Sequence, residues 1–120
     1  MEQKDALSAL AALGHATRLA VFRRLVQAGE AGCLAGDLAA ELGVPGATLS
    51  FHFKELSRAG LIEAEQRGRC ICYRASFSQM TALLSYLTEN CCADSGGTAC
   101  LPGLPGRYKR RRVLLKGLEK

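Results

Sequence analysis

Apolar residues recur along most of the chain at the spacing of helices, and the gaps between these runs carry glycine. From Lys4 to Leu13, Leu7, Leu10 and Ala11 fall at helical spacing and Gly14 follows as a stop, which predicts a short amphipathic helix. Its alanine-rich surface (Ala6, Ala9, Ala11, Ala12) permits close approach of another helix. Thr17 can cap a second helix running to about Ala28, with Leu19, Phe22, Leu25 and Val26 inward, Arg18, Arg23 and Arg24 largely outward, and Gly29 at its end. His15, in the connection, has no other His or Cys near it in sequence and reads as a turn or packing residue rather than a ligand. A third helix from about Leu34 to Leu42 places Leu34, Leu38 and Leu42 on one stripe and closes at Gly43. Cys33, just before it, reads as a small buried apolar residue.

The next helix begins within a few residues. Pro45 suits its first turn, Gly60 supplies the stop, and Leu49, Phe53 and Leu56 recur at i, i+4, i+7 toward a core. Thr48, Ser50, His52, Lys54 and Arg58 make up the face away from that stripe, which is short on acids and rich in hydrogen-bond donors. A helix of this kind close behind another short helix is how a helix-turn-helix presents its second helix to the major groove, although an ordinary surface helix accounts for the pattern alone equally well. Leu61 to Gln66 and Cys70 to Ala75 then read as two strands of a hairpin flanking Arg67-Gly68-Arg69, a tip suited to phosphates or a narrow minor groove. Cys70 and Cys72 fall on one strand face and read as packing residues, since no third ligand stands beside them. The last helix, Phe77 to about Asn90, carries a broad stripe of Phe77, Met80, Leu83, Leu84 and Leu87, wide enough to bury part of itself against a second copy of the chain. The pattern thus predicts a mainly α fold with a small β-hairpin, in the order α1-α2-α3-α4-β-β-α5.

Composition changes the picture in three places. First, 120 residues with 48% apolar content bury one compact core, so we expect one domain over residues 1–92 and a flexible Gly/Pro then basic tail over 93–120. Second, the net charge of +5 is concentrated in that tail: from Leu101 onward seven Lys and Arg stand against one acid, so the domain itself is near neutral. Third, no long apolar run and no leader pattern is present, which predicts a cytoplasmic protein without a membrane partner, whose six cysteines are thiols rather than a disulfide framework. No Ser/His/Asp set, paired carboxylates or phosphate-cradling glycine loop is found, so an enzyme is not expected.

The helix order, the hairpin and four strings resemble the ArsR family of winged-helix repressors: LGHATRLAVFRRLV at 13–26, DLAAELGV at 37–44, ATLSFHFKELSRAGLI at 47–62 and RGRCICYRA at 67–75. The resemblance covers roughly residues 7–88. It implies a winged helix-turn-helix homodimer whose first and last helices form the interface, here through Leu7, Leu10, Met80, Leu83, Leu84 and Leu87. It also implies that the fourth helix reads operator DNA, with Thr48, Ser50, His52 and Arg58 facing the double helix and Arg67 and Arg69 on the wing, and that a bound inducer releases the operator.

The sensing site differs between branches of the family. The Cys-Val-Cys string of one arsenite-binding branch is not matched, the corresponding stretch being Leu34-Ala35-Gly36, and where zinc-sensing members carry His and carboxylates along the last helix this one has no His and only Glu89 as an acid. Cys91, Cys92 and Cys100 resemble the branch with a vicinal cysteine pair after the last helix and a third cysteine beyond, with a spacer that departs slightly from the usual form. Chemistry favours the same choice: As(III) is soft and is satisfied by three thiolates, whereas zinc wants four ligands and both histidines lie far away in sequence. The expectation is a homodimeric repressor of double-stranded operator DNA, released by As(III) and also by Sb(III), with no organic cofactor. A thiol-based redox or persulfide sensor of the same fold, and an arsenic-binding buffer protein, are the alternatives.

Overall fold

The computed structural model describes residues 1–95. Five helices are present among them: α1 (Gln3–Leu13), α2 (Ala16–Ala28), α3 (Ala35–Leu42), α4 (Gly46–Arg58) and α5 (Phe77–Leu87). Three strands, β1 (Cys33–Leu34), β2 (Ile62–Arg67) and β3 (Cys70–Ala75), form one antiparallel sheet in the order β1-β3-β2. Among the described residues, backbone contacts group 1–80 into one compact unit and 81–95 into a second.

In the first unit α1 packs on α2 and α4, α4 also packs on α2, α3 and β2, and β3 lies against α2 and α3. Val21, Leu25, Leu38, Leu49, Leu56 and Leu61 are wholly buried there. Phe53 stacks on Tyr73 with ring centroids 4.0 Å apart, joining α4 to the sheet.

α1 packs through its small residues. Its buried side is Ala6, Ala9 and Ala12, while Leu7 is 57% exposed and Leu10 also faces outward. Small side chains let α1 approach α2 and α4 closely, so the alanines rather than the leucines occupy the seam. At the start of α2 the cap is His15, whose Nδ1 accepts from the Thr17 backbone N–H at 3.1 Å; Thr17 itself is inside the helix. On α2, Val21 replaces Leu19 in the core, and Leu19 is exposed.

The expected hairpin is a three-stranded sheet, because Cys33 and Leu34 pair with Tyr73 and Cys72. Gly32 makes this possible: it adopts φ 68°, and a side chain there would collide with the Tyr73 carbonyl and the Arg74 side chain and press on the Cys72 sulfur. Cys33 is consequently half-buried at a strand edge, and Leu34 belongs to β1 rather than α3. The hairpin closes through Gly68 and Arg69 between the paired Arg67 and Cys70. Gly68 has φ 62° at the first central position, as a type II′ turn requires, and Arg67 therefore lies in the strand rather than in the loop.

The first turn of α5 is tied back to the connection between α4 and β2. The Ser76 N–H donates to the Leu61 carbonyl at 2.8 Å, the Ser76 hydroxyl accepts from the Gln79 N–H, and Gln79 Nε2 donates to the Ala59 carbonyl at 3.2 Å. α5 ends at Leu87, three residues earlier than periodicity predicts; the Thr88 hydroxyl donates to the Leu84 carbonyl, and Asn90 and Cys92 adopt left-handed φ of 61° and 62°. Among the described residues no helix is long and apolar enough to cross a membrane.

Candidate nucleic-acid interface and cysteine pair

α3 and α4 form the helix-turn-helix, joined through Gly43, Val44 and Pro45, the last of which is the N-cap of α4. The phase of α4 is set by its buried stripe. Leu49, His52, Phe53 and Leu56 follow i, i+3, i+4, i+7, and all four are buried. Opposite them, Ala47, Phe51, Lys54 and Arg58 follow i, i+4, i+7, i+11, and all four are exposed, with Thr48, Ser50 and Ser57 exposed on the flanks. The exposed side therefore does carry Thr48, Ser50, Lys54 and Arg58.

His52 is the correction. It is 6% exposed, three residues after Leu49 and four before Leu56, and so lies inside the apolar stripe. Its Nδ1 stands 3.2 Å from Arg18 Nη1, and its ring lies against that of His15 with centroids 4.6 Å apart. Arginine has no acceptor, so His52 Nδ1 accepts and the proton of the neutral ring sits on Nε2. Burial, then the neighbouring His15 and Arg18, hold the His52 pKa below its ordinary value, with Glu55 opposing weakly. Arg18 is not outward either: its Nε donates to the Ala12 carbonyl at 2.7 Å, satisfying one of the last carbonyls of α1. Phe51 and Arg18 were not singled out from the sequence. The angular distance of each from the Leu49, Phe53, Leu56 stripe would have found Phe51; nothing in the sequence places Arg18 beside His52.

Two of the arginines expected at DNA are engaged with acids on their own element or its neighbour. Arg58 Nη1 donates to Glu55 Oε2 at 2.9 Å, and Arg67 Nη2 to Glu65 Oε1 at 3.3 Å. Glu65 Oε1 also accepts from Arg74 Nη1 at 2.7 Å, and the bonds from Arg74 and then the charge of Arg67 hold its carboxyl below the usual carboxylate range. These pairs lie at the surface, where an ion pair contributes only about 0–1 kcal/mol. Arg67 and Arg69 are both exposed near the wing tip.

Cys91 and Cys92 follow α5; Asn90 and Cys92 have positive φ, and the Cys91 and Cys92 sulfurs are 3.5 Å apart. A soft ion bound by two thiolates at about 2.3 Å keeps the sulfurs roughly 3.3–3.8 Å apart, so this spacing suits joint ligation of one atom. Cys100 lies outside the described residues, as does the basic tail from Arg107. Among the described residues no group of three His, Cys, Asp or Glu side chains could hold a metal ion. Of the other thiols, Cys72 is buried with its sulfur 3.5 Å from the Ala31 carbonyl, Cys70 is exposed, and burial pushes the Cys33 thiol up, away from the reactive thiolate.

Of the residues expected at a dimer interface, Leu7, Leu10, Leu84 and Leu87 are exposed and Met80 is half-buried. Leu83 is only 6% exposed in the single chain, and so is a core residue rather than part of an open face.

A helix-turn-helix domain model matches residues 13–65. Among solved structures, the chain is similar to an ArsR-like transcriptional regulator from Rhodococcus sp. RHA1, with 30% identity, 76% of this chain and 82% of that one covered, and a TM-score of 0.64. It is also similar to NolR from Sinorhizobium fredii (26% identity, 72% and 83% covered, TM-score 0.56). HlyU from Vibrio cholerae shares the fold at 24% identity, with 77% and 99% covered and a TM-score of 0.60. No curated protein sequence matches the chain.

Proposed function

The chain belongs to the ArsR family of transcriptional regulators, and on that premise we propose that it is a homodimeric repressor released from its operator by As(III), and also by Sb(III). α3 and α4 offer the exposed side of α4, with Thr48, Ser50 and Arg58, to the major groove of double-stranded DNA, while Arg67 and Arg69 of the wing reach phosphates. The exposed Leu7, Leu10, Leu84 and Leu87 are apolar surface for a second copy of the chain. The observation that carries the inducer is the 3.5 Å approach of the Cys91 and Cys92 sulfurs. In this reading Cys100, outside the described residues, supplies the third thiolate.

Binding of arsenous acid is a ligand exchange without redox: three arsenic–sulfur bonds replace three arsenic–hydroxide bonds, and each hydroxide leaves as water with a thiol proton. The arsenic–sulfur bonds make the deprotonated sulfurs favourable at neutral pH. Release follows only if the inducer binds the DNA-free conformation better than the DNA-bound one, since equal affinity for both shifts nothing.

A gel shift with arsenite, antimonite, zinc and peroxide tests the reading. Arsenite and antimonite are expected to release the operator. Serine at Cys91, Cys92 or Cys100 is expected to leave DNA binding intact and abolish release, while Cys33→Ser, Cys70→Ser and Cys72→Ser keep the response if they fold. A full response by Cys100→Ser would place the third ligand elsewhere. Release by peroxide but not by arsenite would replace this reading with a thiol redox switch, and arsenite binding by a chain with no DNA affinity would leave a buffer protein.

A further inference from the structure

Phe51 sits near the middle of the side of α4 that faces away from the core, in line with Ala47, Lys54 and Arg58, and it is 56% exposed. A single exposed aromatic is ordinary on a protein surface. Three features set this one apart. It lies in the N-terminal half of the second helix of a helix-turn-helix, the part that reaches base edges. Its neighbours along the exposed side are Ser50, Lys54 and Arg58, cations and a hydroxyl that suit a polyanion and not the desolvated centre of a protein–protein contact. Its ring also stands edge-on to His52 at 5.5 Å between centroids, and His52 is itself buried and held by Arg18, so the ring projects from a fixed base.

Resting on the DNA-binding reading above, we propose that Phe51 is a specificity residue that reads the 5-methyl group of a thymine in each operator half-site. A phenyl ring has no donor for a phosphate or a base acceptor, and the one apolar feature of the major-groove edge is the thymine methyl. The ring covers that methyl while Thr48 and Ser50 supply hydrogen bonds beside it. The sequence preference this gives is for thymine over cytosine, and equally for thymine over uracil, which pairs identically but lacks the methyl.

The test uses the full chain. Operator sites are selected from a randomised duplex pool, and each thymine of the selected site is then replaced by uracil, one pair of symmetry-related positions at a time. For the wild type, one such replacement is expected to weaken binding about fourfold per methyl lost. Phe51→Ala is expected to bind the thymine and uracil sites equally, with an unchanged thermal midpoint because the side chain is exposed, and Phe51→Leu to retain part of the discrimination. Wild type with no uracil-sensitive position, Phe51→Ala with undiminished thymine preference, or Phe51→Ala with equal loss on every sequence would each overturn the proposal while leaving the repressor reading standing. If the wild type selects no sequence and binds no DNA, the repressor reading falls and this proposal with it.

Discussion

Replacing Arg18 by alanine removes two bonds from one guanidinium: Nε to the Ala12 carbonyl at 2.7 Å and Nη1 to His52 Nδ1 at 3.2 Å. The first satisfies a carbonyl at the C-terminal end of α1, which has no partner within the helix and gains further from a cation beside it. The second satisfies the acceptor nitrogen of a ring buried between helices. A hydrogen bond to a charged group contributes about 1.5–3 kcal/mol when fully buried, and a stranded acceptor costs about 1–3 kcal/mol. Arg18 is only half-buried and water can reach the Ala12 carbonyl, so the low end of both ranges applies and the sum is about 2–3 kcal/mol. In a domain of this size that lowers the thermal midpoint by roughly 10–15 °C. Urea unfolding followed by circular dichroism, at fixed protein concentration because the proposed dimer would contribute, is the assay. Arg18→Lys keeps the charge, but one ammonium cannot span both acceptors as the planar fork does, and it should recover less than half the loss. An Arg18→Ala protein within about 0.5 kcal/mol of wild type would refute the claim that this residue fastens α1 and α4 to the start of α2.

Four further outcomes follow from the same geometry. His52 has a folded-state pKa below its unfolded value, so the unfolded chain takes up the proton first: its contribution is complete above about pH 6.5 and is lost as pH falls below that toward the folded pKa, and His52→Phe should flatten this acid limb of a stability–pH profile. Leu83→Asp puts an unpaired charge at a buried position and should unfold the chain, seen as loss of the helical spectrum, whereas Leu84→Asp with Leu87→Asp should give a folded monomer by sedimentation, Leu87 being 54% exposed in the single chain. Arg69→Ala should weaken binding to all duplexes alike and reduce the slope of log affinity against log salt by about 1 per subunit. Glu65→Gln, which removes the carboxylate that holds Arg67 and Arg74, should raise affinity for any duplex at low salt and leave sequence preference unchanged.

What periodicity could deliver was the existence and order of the helices and the long strands, because each spans enough residues for its apolar spacing to stand out. It missed β1 because two residues have no period, and the evidence for that strand is tertiary: the glycine at 32 that lets the chain lie against Tyr73 and Cys72. The faces of α1 follow from size as well as hydrophobicity: a seam between closely approaching helices selects for small side chains, so Ala6, Ala9 and Ala12 are buried while Leu7 and Leu10 face outward. The early end of α5 is the usual uncertainty of boundaries, decided by the left-handed turn at Asn90 and by the hydroxyl of Thr88.

The exchange of roles between residues 51 and 52 is the most instructive of these differences, since it turns on 100° of helix. Chemical type ranks a histidine above a phenylalanine as a reader of DNA, and that ranking placed His52 outward. Geometry leaves no such freedom once Leu49, Phe53 and Leu56 are inward: position 52 falls between Leu49 and Leu56 on the same stripe, and position 51 falls well away from it. A buried histidine then needs an acceptor's partner, and Arg18 supplies it across 34 residues of sequence. The apolar stripe is thus the stronger witness to which side of a recognition helix meets DNA, and donor chemistry should be assigned only to positions the stripe has already released. On that order of argument the exposed side of α4 keeps Thr48, Ser50, Lys54 and Arg58, gives up His52 to the core, and acquires an aromatic ring whose only distinctive partner in the major groove is a methyl group.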